Sequence, residues 1–270
     1  MSDLPPPPTP GGDAPHPPSA TPPPPPPPGT LTPPPGYVAF QGAPTPSGTL
    51  ARVGGLRTAI VVLCAVTAAG TLLTALLTGT VNDAAEDYLA GNISDTDFIA
   101  DYAPILIGQG VQSVGQLALA VITIIWLYRV AKNVRLFGRQ TTWAPIWAVF
   151  GWILPPVLVI IPFLMVREVW KASDPDTPYG SDSWKSGAES PTIVAWFVVY
   201  GVILTAISVA QIGAVFGQGF GGDADTLAES VTDFGGIDLL LAFVTIVSAG
   251  LWALVVRQVT ARHIRLTGES

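Results

Sequence analysis

Along this chain the apolar positions gather into long unbroken runs instead of alternating with polar ones. Residues 58–80, 104–128, 191–216 and 238–256 each stay apolar for the length of a membrane crossing, because roughly 30 Å of hydrocarbon takes about 20 helical residues. A fifth run, residues 143–166, is long enough but carries Pro155 and Pro156 at its centre. Adjacent prolines remove two amide donors and push Leu154 out of helical geometry, leaving two arms of about eleven residues, each roughly half a bilayer deep. The pattern therefore predicts four spans and poses one question, whether the fifth run crosses or turns back.

Charge answers it. If residues 143–166 cross, six basic residues (Arg52, Arg57, Arg129, Lys132, Arg135, Arg139) stand opposite six others (Arg167, Lys171, Lys185, Arg257, Arg262, Arg265). If the run turns back, all twelve share one side, as expected of cytoplasmic flanks. The loops opposite then hold only acids: Asp83, Glu86, Asp87, Asp95, Asp97 and Asp101 in one, Asp223, Asp225, Glu229 and Asp233 in the other. We therefore expect an all-α integral membrane protein with four transmembrane helices and a proline-broken re-entrant or interfacial hairpin. Both termini are expected in the cytoplasm of a bacterial plasma membrane; five spans is the alternative.

An internal repeat points the same way. "AKNVRLFG" (131–138) matches "ARHIRLTG" (261–268), Trp126 and Trp252 stand upstream of each, and a "TDF" before each helix start falls at Thr96–Phe98 and Thr232–Phe234. Two copies inserted alike need a linker that crosses an even number of times. The repeat makes two helical hairpins of the four spans, residues 53–266 forming the membrane domain and 267–270 a short tail.

Composition adds the leader. Twenty of the 28 prolines lie within the first fifty residues, so residues 1–52 are expected to be a disordered or polyproline II cytoplasmic arm, suited to docking in the aromatic groove of a protein partner. The rest of the chain sets the mean hydropathy at +0.49 with 11% charged residues. A formal charge of −7 argues against nucleic acid, whose binding relies on cationic neutralisation of phosphates. The single cysteine, Cys64, has no partner for a disulfide and reads as a packing residue.

Residues 128–175, "YRVAKNVRLFGRQTTWAPIWAVFGWILPPVLVIIPFLMVREVWKASDP", resemble the signature of an actinobacterial family of multipass membrane proteins known as domain of unknown function 4328. The matching positions are Arg129 and Asn133 in the basic segment, Pro145, Trp147, Gly151 and Trp152 in the aromatic cluster, then Pro155 and Pro162. They continue with Arg167, Glu168, Trp170, Ser173 and Pro175. Leu158 departs from the pattern, since the family often carries Asn there. The resemblance extends loosely over residues 50–266 and implies a membrane protein with a proline-rich leader, but no activity.

Catalytic chemistry is not legible. His16 and His263 lie far apart, and no metal-ligand spacing, phosphate-binding glycine loop or serine elbow occurs, so neither enzyme activity nor a cofactor is expected and a lipid-acting enzyme ranks last. The span interiors hold no ionisable residue. They hold Gln109, Gln112 and Gln116, three and four apart and so on one face of the second span, which Gln211 and Ser208, or Thr245 and Ser248, can meet. Such a stripe serves either as polar glue between helices or as the lining of a small-solute path. Small residues every fourth place, Ala206, Ala210 and Ala214, and Ala249 with Ala253, suit close helix packing within a chain or in a homo-oligomer.

Overall fold

The computed structural model describes residues 48–152, 159–209 and 224–269. The proline-rich leader before residue 48, the tip with Pro155, Pro156 and Leu158, and Gln211 lie outside the described residues. Helix α1 runs Gly54–Leu89 and α2 runs Asp95–Leu136. Two short elements follow, α3 (Trp147–Phe150) and α4 (Ile160–Ala172), then α5 (Pro191–Val209) and α6 (Ala224–Thr267). Among the described residues four helices are long and apolar enough to cross a membrane: α1, α2, α5 and residues Ile237–Thr267 of α6.

The helices outrun the apolar stretches because their ends carry their own stop and start signals. Ser94 and Asp97 form a reciprocal capping box, so α2 begins at Asp95 and passes through Pro104. The segment Thr96–Phe98 thus lies in the first turn of α2, and Thr232–Phe234 lies inside α6, not ahead of the helices. At the other ends Gly138 (φ 73°) and Gly268 (φ 68°) take the left-handed conformation that closes a helix. The two copies of the repeated octapeptide therefore terminate α2 and α6 alike.

The two described flanks of the broken run, residues 143–152 and 159–168, meet at their outer ends. The Glu168 carboxylate accepts hydrogen bonds from the backbone N–H of Thr142 (2.5 Å) and Trp143 (3.1 Å), which pins the root of the first arm to α4. Among the described residues no fifth helix is long and apolar enough to cross a membrane. Inside the hairpin a Cβ on Gly151 would sit 2.7 Å from the Trp147 carbonyl oxygen and 2.8 Å from Ile161 Cγ2, so the two arms can close only over glycine.

α1 packs lengthwise on both α2 and α6, while α5 packs on α6 and on α4. The repeat is thus equal at the helix ends and unequal in what each copy's first helix touches. Residues 197–204 of α5 wind as a π-helix, where Gly201 admits the hairpin: a Cβ there would lie 2.4 Å from Val159 Cγ1. The main core gathers Ile60 and Cys64 of α1, Trp126 and Val130 of α2, Met165 and Val169 of α4, Trp196 of α5 and Trp252 and Val256 of α6. Every basic residue contact described below falls at the end where α1 begins and α2 and α6 finish, the basic end. The acid-bearing turns occupy the other, where Tyr88 donates to Asp225 (2.7 Å) and Asp95 (3.2 Å).

Candidate functional site

Several of the residues that carry the family resemblance, Arg129, Asn133, Arg167, Glu168, Trp170 and Ser173, converge at the basic end, where they build a clasp. Asn133, fully buried, accepts from the Ala51 N–H (2.9 Å) and donates to the Ala51 carbonyl (2.8 Å) and to His263 Nε2 (3.0 Å). The two Ala51 bonds fix which end of the amide is nitrogen, so Nε2 is the acceptor and the neutral imidazole donates from Nδ1 to Ser173 Oγ (3.1 Å). The Asn133–His263 pair thus joins α2, α6, the end of α4 and the segment entering α1. Arg129 donates to the Arg52 carbonyl (3.0 Å), and Glu269 accepts from the Val53 and Gly54 N–H groups at 2.9–3.1 Å, satisfying orphan donors at the start of α1.

The return arm closes the clasp. Trp170 lies under the Arg262 guanidinium (4.5 Å) and donates to the Ala188 carbonyl (3.1 Å). Arg167 and Lys171 grip Glu189 at 2.5 and 2.6 Å; the Arg167 hydrogen bond, above all, holds that carboxyl down to about 2. Trp147 meets Trp143 edge-on at 5.7 Å, Pro145 supplies the carbonyl that opens α3, and Pro162 is buried in the first turn of α4. Arg139, 1% exposed, donates to the carbonyls of Ala172, Asp174 (2.8 Å) and Thr177 (2.9 Å). Burial pulls its guanidinium below the usual arginine range, opposed by the Asp174 charge. Most of these groups are occupied with one another, while Arg139 Nε and Arg262 Nε are buried without a partner.

Two cavities lie away from the clasp, in a seam between the helices. An outer cavity of about 200 Å³ is lined by Thr71, Thr74, Thr78 and Asn82 of α1, Tyr102, Gln109 and Gln112 of α2, and Asp238 and Thr245 of α6. An inner chamber of about 420 Å³ shares Gln112 and Thr245 with it and adds Thr67, Gln116, Thr123, Ser208, Ser248 and four aromatic rings, Trp152, Trp196, Tyr200 and Trp252. Gln112 donates to Thr71 Oγ1 (3.0 Å). Gln109 and Gln116 are exposed along the seam's edge, and Ser208, Thr245 and Ser248 face the same space as the glutamines.

Both ends of the seam are shut. Toward the acidic end Phe98, Ala85 and Ala228 are fully buried, with Tyr88 stacked on Phe98 at 5.1 Å. Toward the basic end Trp126 and Trp252 meet edge-on at 5.9 Å and exchange bonds across the helices, Trp126 to Thr260 (2.9 Å) and Trp252 to Thr123 (3.3 Å). Three buried polar atoms inside find no protein partner: Thr67 Oγ1, Asn82 Oδ1 and Trp152 Nε1. Buried polar groups are ordinarily paired, so these mark places for something else to bind.

Sequence reasoning passed over the α1 side of this seam and the whole clasp. The signal for the first was present: Thr67, Thr71, Thr74, Thr78 and Asn82 recur three and four apart, on one helix face, but hydroxyls inside an apolar run barely lower its hydropathy. His263 gave no comparable signal, since its partners Asn133 and Ser173 are distant in the chain.

Neither the curated proteins nor the solved structures contain a match to this chain. The family described as Domain of unknown function (DUF4328) matches residues 99–261. That interval runs from the second turn of α2 to just short of the clasp residues Arg262 and His263 of α6 and covers more than half of the chain, which therefore belongs to the DUF4328 family.

Proposed function

We propose that this chain is a non-catalytic multipass protein of a bacterial plasma membrane, with its basic end and both termini in the cytoplasm, that holds a small uncharged ligand between its helices. One observation carries the reading: a seam closed at both ends by aromatic layers retains buried hydroxyl, amide and indole groups with no partner. Polar glue accounts for Gln112 on Thr71 but not for the three unpartnered atoms that share the seam. Solvent extraction of the purified chain, followed by mass spectrometry, is expected to release a small neutral molecule. The Gln112→Leu, Gln116→Leu variant should carry roughly tenfold less of it, the loss expected for one or two hydrogen bonds. Equal recovery from the two proteins would remove the proposal.

A second reading concerns the leader. Asn133 and Glu269 hold Ala51 and Val53 by their backbone, so the chain that follows the proline-rich arm is fixed on the clasp. Such a root suits recruitment of a protein partner with an aromatic groove, or of a second copy, at the inner surface of the membrane. Deleting residues 1–47 keeps the clasp intact and should strip specific co-purifying proteins from the complex; an unchanged set would count against recruitment.

A further inference from the structure

The inner chamber offers two kinds of surface at once. Its aromatic wall is continuous: Trp196 and Tyr200 stack with centroids 5.4 Å apart at 8°, Trp196 meets Trp252 at 4.6 Å, and Trp152 stands nearly edge-on to Trp252 at 6.2 Å. The Trp252 indole N–H is already taken by Thr123. The Trp152 N–H is buried and has no acceptor. On the α1 side Thr67, only 5% exposed, likewise leaves its hydroxyl unpaired.

Each feature narrows the ligand. Among the described residues no Asp, Glu, Lys, Arg or His lines the chamber, and a charge brought into such a space would be strongly disfavoured, so the ligand is neutral. Stacked and edge-on rings favour a flat apolar body. An indole N–H can only donate, so the ligand presents an acceptor oxygen to Trp152, while the Thr67 hydroxyl can serve a second polar edge. A volume of about 420 Å³ suits a single ring system with substituents. With both ends shut, and with α2 and α5 facing each other across the chamber without the close packing each makes elsewhere, entry is lateral, from the hydrocarbon. Tyr200 lies in the π-helical stretch Phe197–Leu204, a winding that recurs at functional sites.

We infer that the inner chamber binds a flat, neutral, carbonyl-bearing ring of the membrane-soluble quinone class, one carbonyl accepting from Trp152 Nε1 and a polar edge facing Thr67. The inference rests on the ligand-holding reading above and gives that ligand a class.

The test uses the full chain in liposomes of neutral lipid with two probes of matched shape, duroquinone and its carbonyl-free counterpart durene. Duroquinone has no unsubstituted ring carbon to react with Cys64. Thermal unfolding followed by circular dichroism should show duroquinone stabilising the protein at a concentration at least about tenfold lower than durene. Trp152→Phe keeps a ring and loses the N–H; Thr67→Val keeps the shape and loses the hydroxyl. Each should narrow the preference for duroquinone, Trp152→Phe by about tenfold, one hydrogen bond's worth. Equal potency of the two probes on the wild type, or a preference intact in both variants, overturns the quinone class and leaves the ligand-holding reading standing. No stabilisation by either probe overturns the class as well, and the extraction comparison of Gln112 and Gln116 variants then decides the broader reading separately.

Discussion

Arg139→Met should destabilise the protein by about 3–5 kcal/mol, the cost typical of breaking a buried charged network. The side chain is buried, yet it bonds to no carboxylate; it donates to three carbonyls, at Ala172, Asp174 and Thr177. Asp174 spends its own charge on Arg262 at 3.0 Å. Removing the guanidinium recovers the cost of burying it but strands the Ala172 and Thr177 carbonyl oxygens, each worth about 1–3 kcal/mol when left unpaired, and leaves the Asp174 carbonyl with only the long bond from the Thr177 N–H (3.4 Å); together these losses outweigh the gain. The Ala172 carbonyl closes α4 and the other two shape the turn that follows, so the return arm and the loop over Gly138 should loosen together. Arg139→Lys, with a single ammonium in place of a fork, should cost less, about half. Equilibrium unfolding in mild detergent measures both. A Met variant within about 0.5 kcal/mol of wild type, the range of an ordinary surface change, would show that the buried cation does not organise this loop.

Arg139 also shows where sequence reasoning stops. As one of twelve basic residues it entered the charge sum behind the expected orientation, because such sums do not depend on partners. That sum, with the two prolines, was enough to read residues 143–166 as a hairpin, and the structure closes that hairpin through Glu168. What the sum hides is that a cation at a helix end can be buried. Membrane flanks collect Lys and Arg for topological reasons, so one that serves as a three-way donor looks like its neighbours.

The glutamine stripe and the threonine stripe differ in the same way. Gln109, Gln112 and Gln116 stand out against Leu and Val, and their spacing already places them on one face. Thr67, Thr71, Thr74 and Thr78 sit among alanines and leucines with little contrast, so only the fold shows that they supply the opposite wall. Of the aromatic wall, Trp152 alone belongs to the broken segment, which the sequence leaves either re-entrant or interfacial. In the structure Trp152 turns inward, because the hairpin seats against Gly201 of α5 and carries the ring into the bundle. No local pattern encodes that; it depends on a contact between segments about fifty residues apart.

The second large effect is expected where the two copies of the repeat meet. Asn133 and His263 hold equivalent places in "AKNVRLFG" and "ARHIRLTG", and the structure joins them at 3.0 Å. Asn133→Leu removes that bond and both bonds to Ala51, and should cost about 3 kcal/mol, given about 1 kcal/mol per neutral bond and more where a buried partner is stranded. His263→Leu strands Ser173 Oγ and part of the Asn133 amide and should cost about 2 kcal/mol. The double variant should fall short of the sum by about 1 kcal/mol, the coupling expected of residues in direct contact. The Asn133 variant alone should also free the root of the leader, since Ala51 has no other side-chain partner among the described hydrogen bonds; protease cleavage near residue 51 then rises in that variant and not in His263→Leu. Free energies that add within about 0.3 kcal/mol would mean that the two octapeptides end their helices independently, and that the duplicated segment has not become a joint.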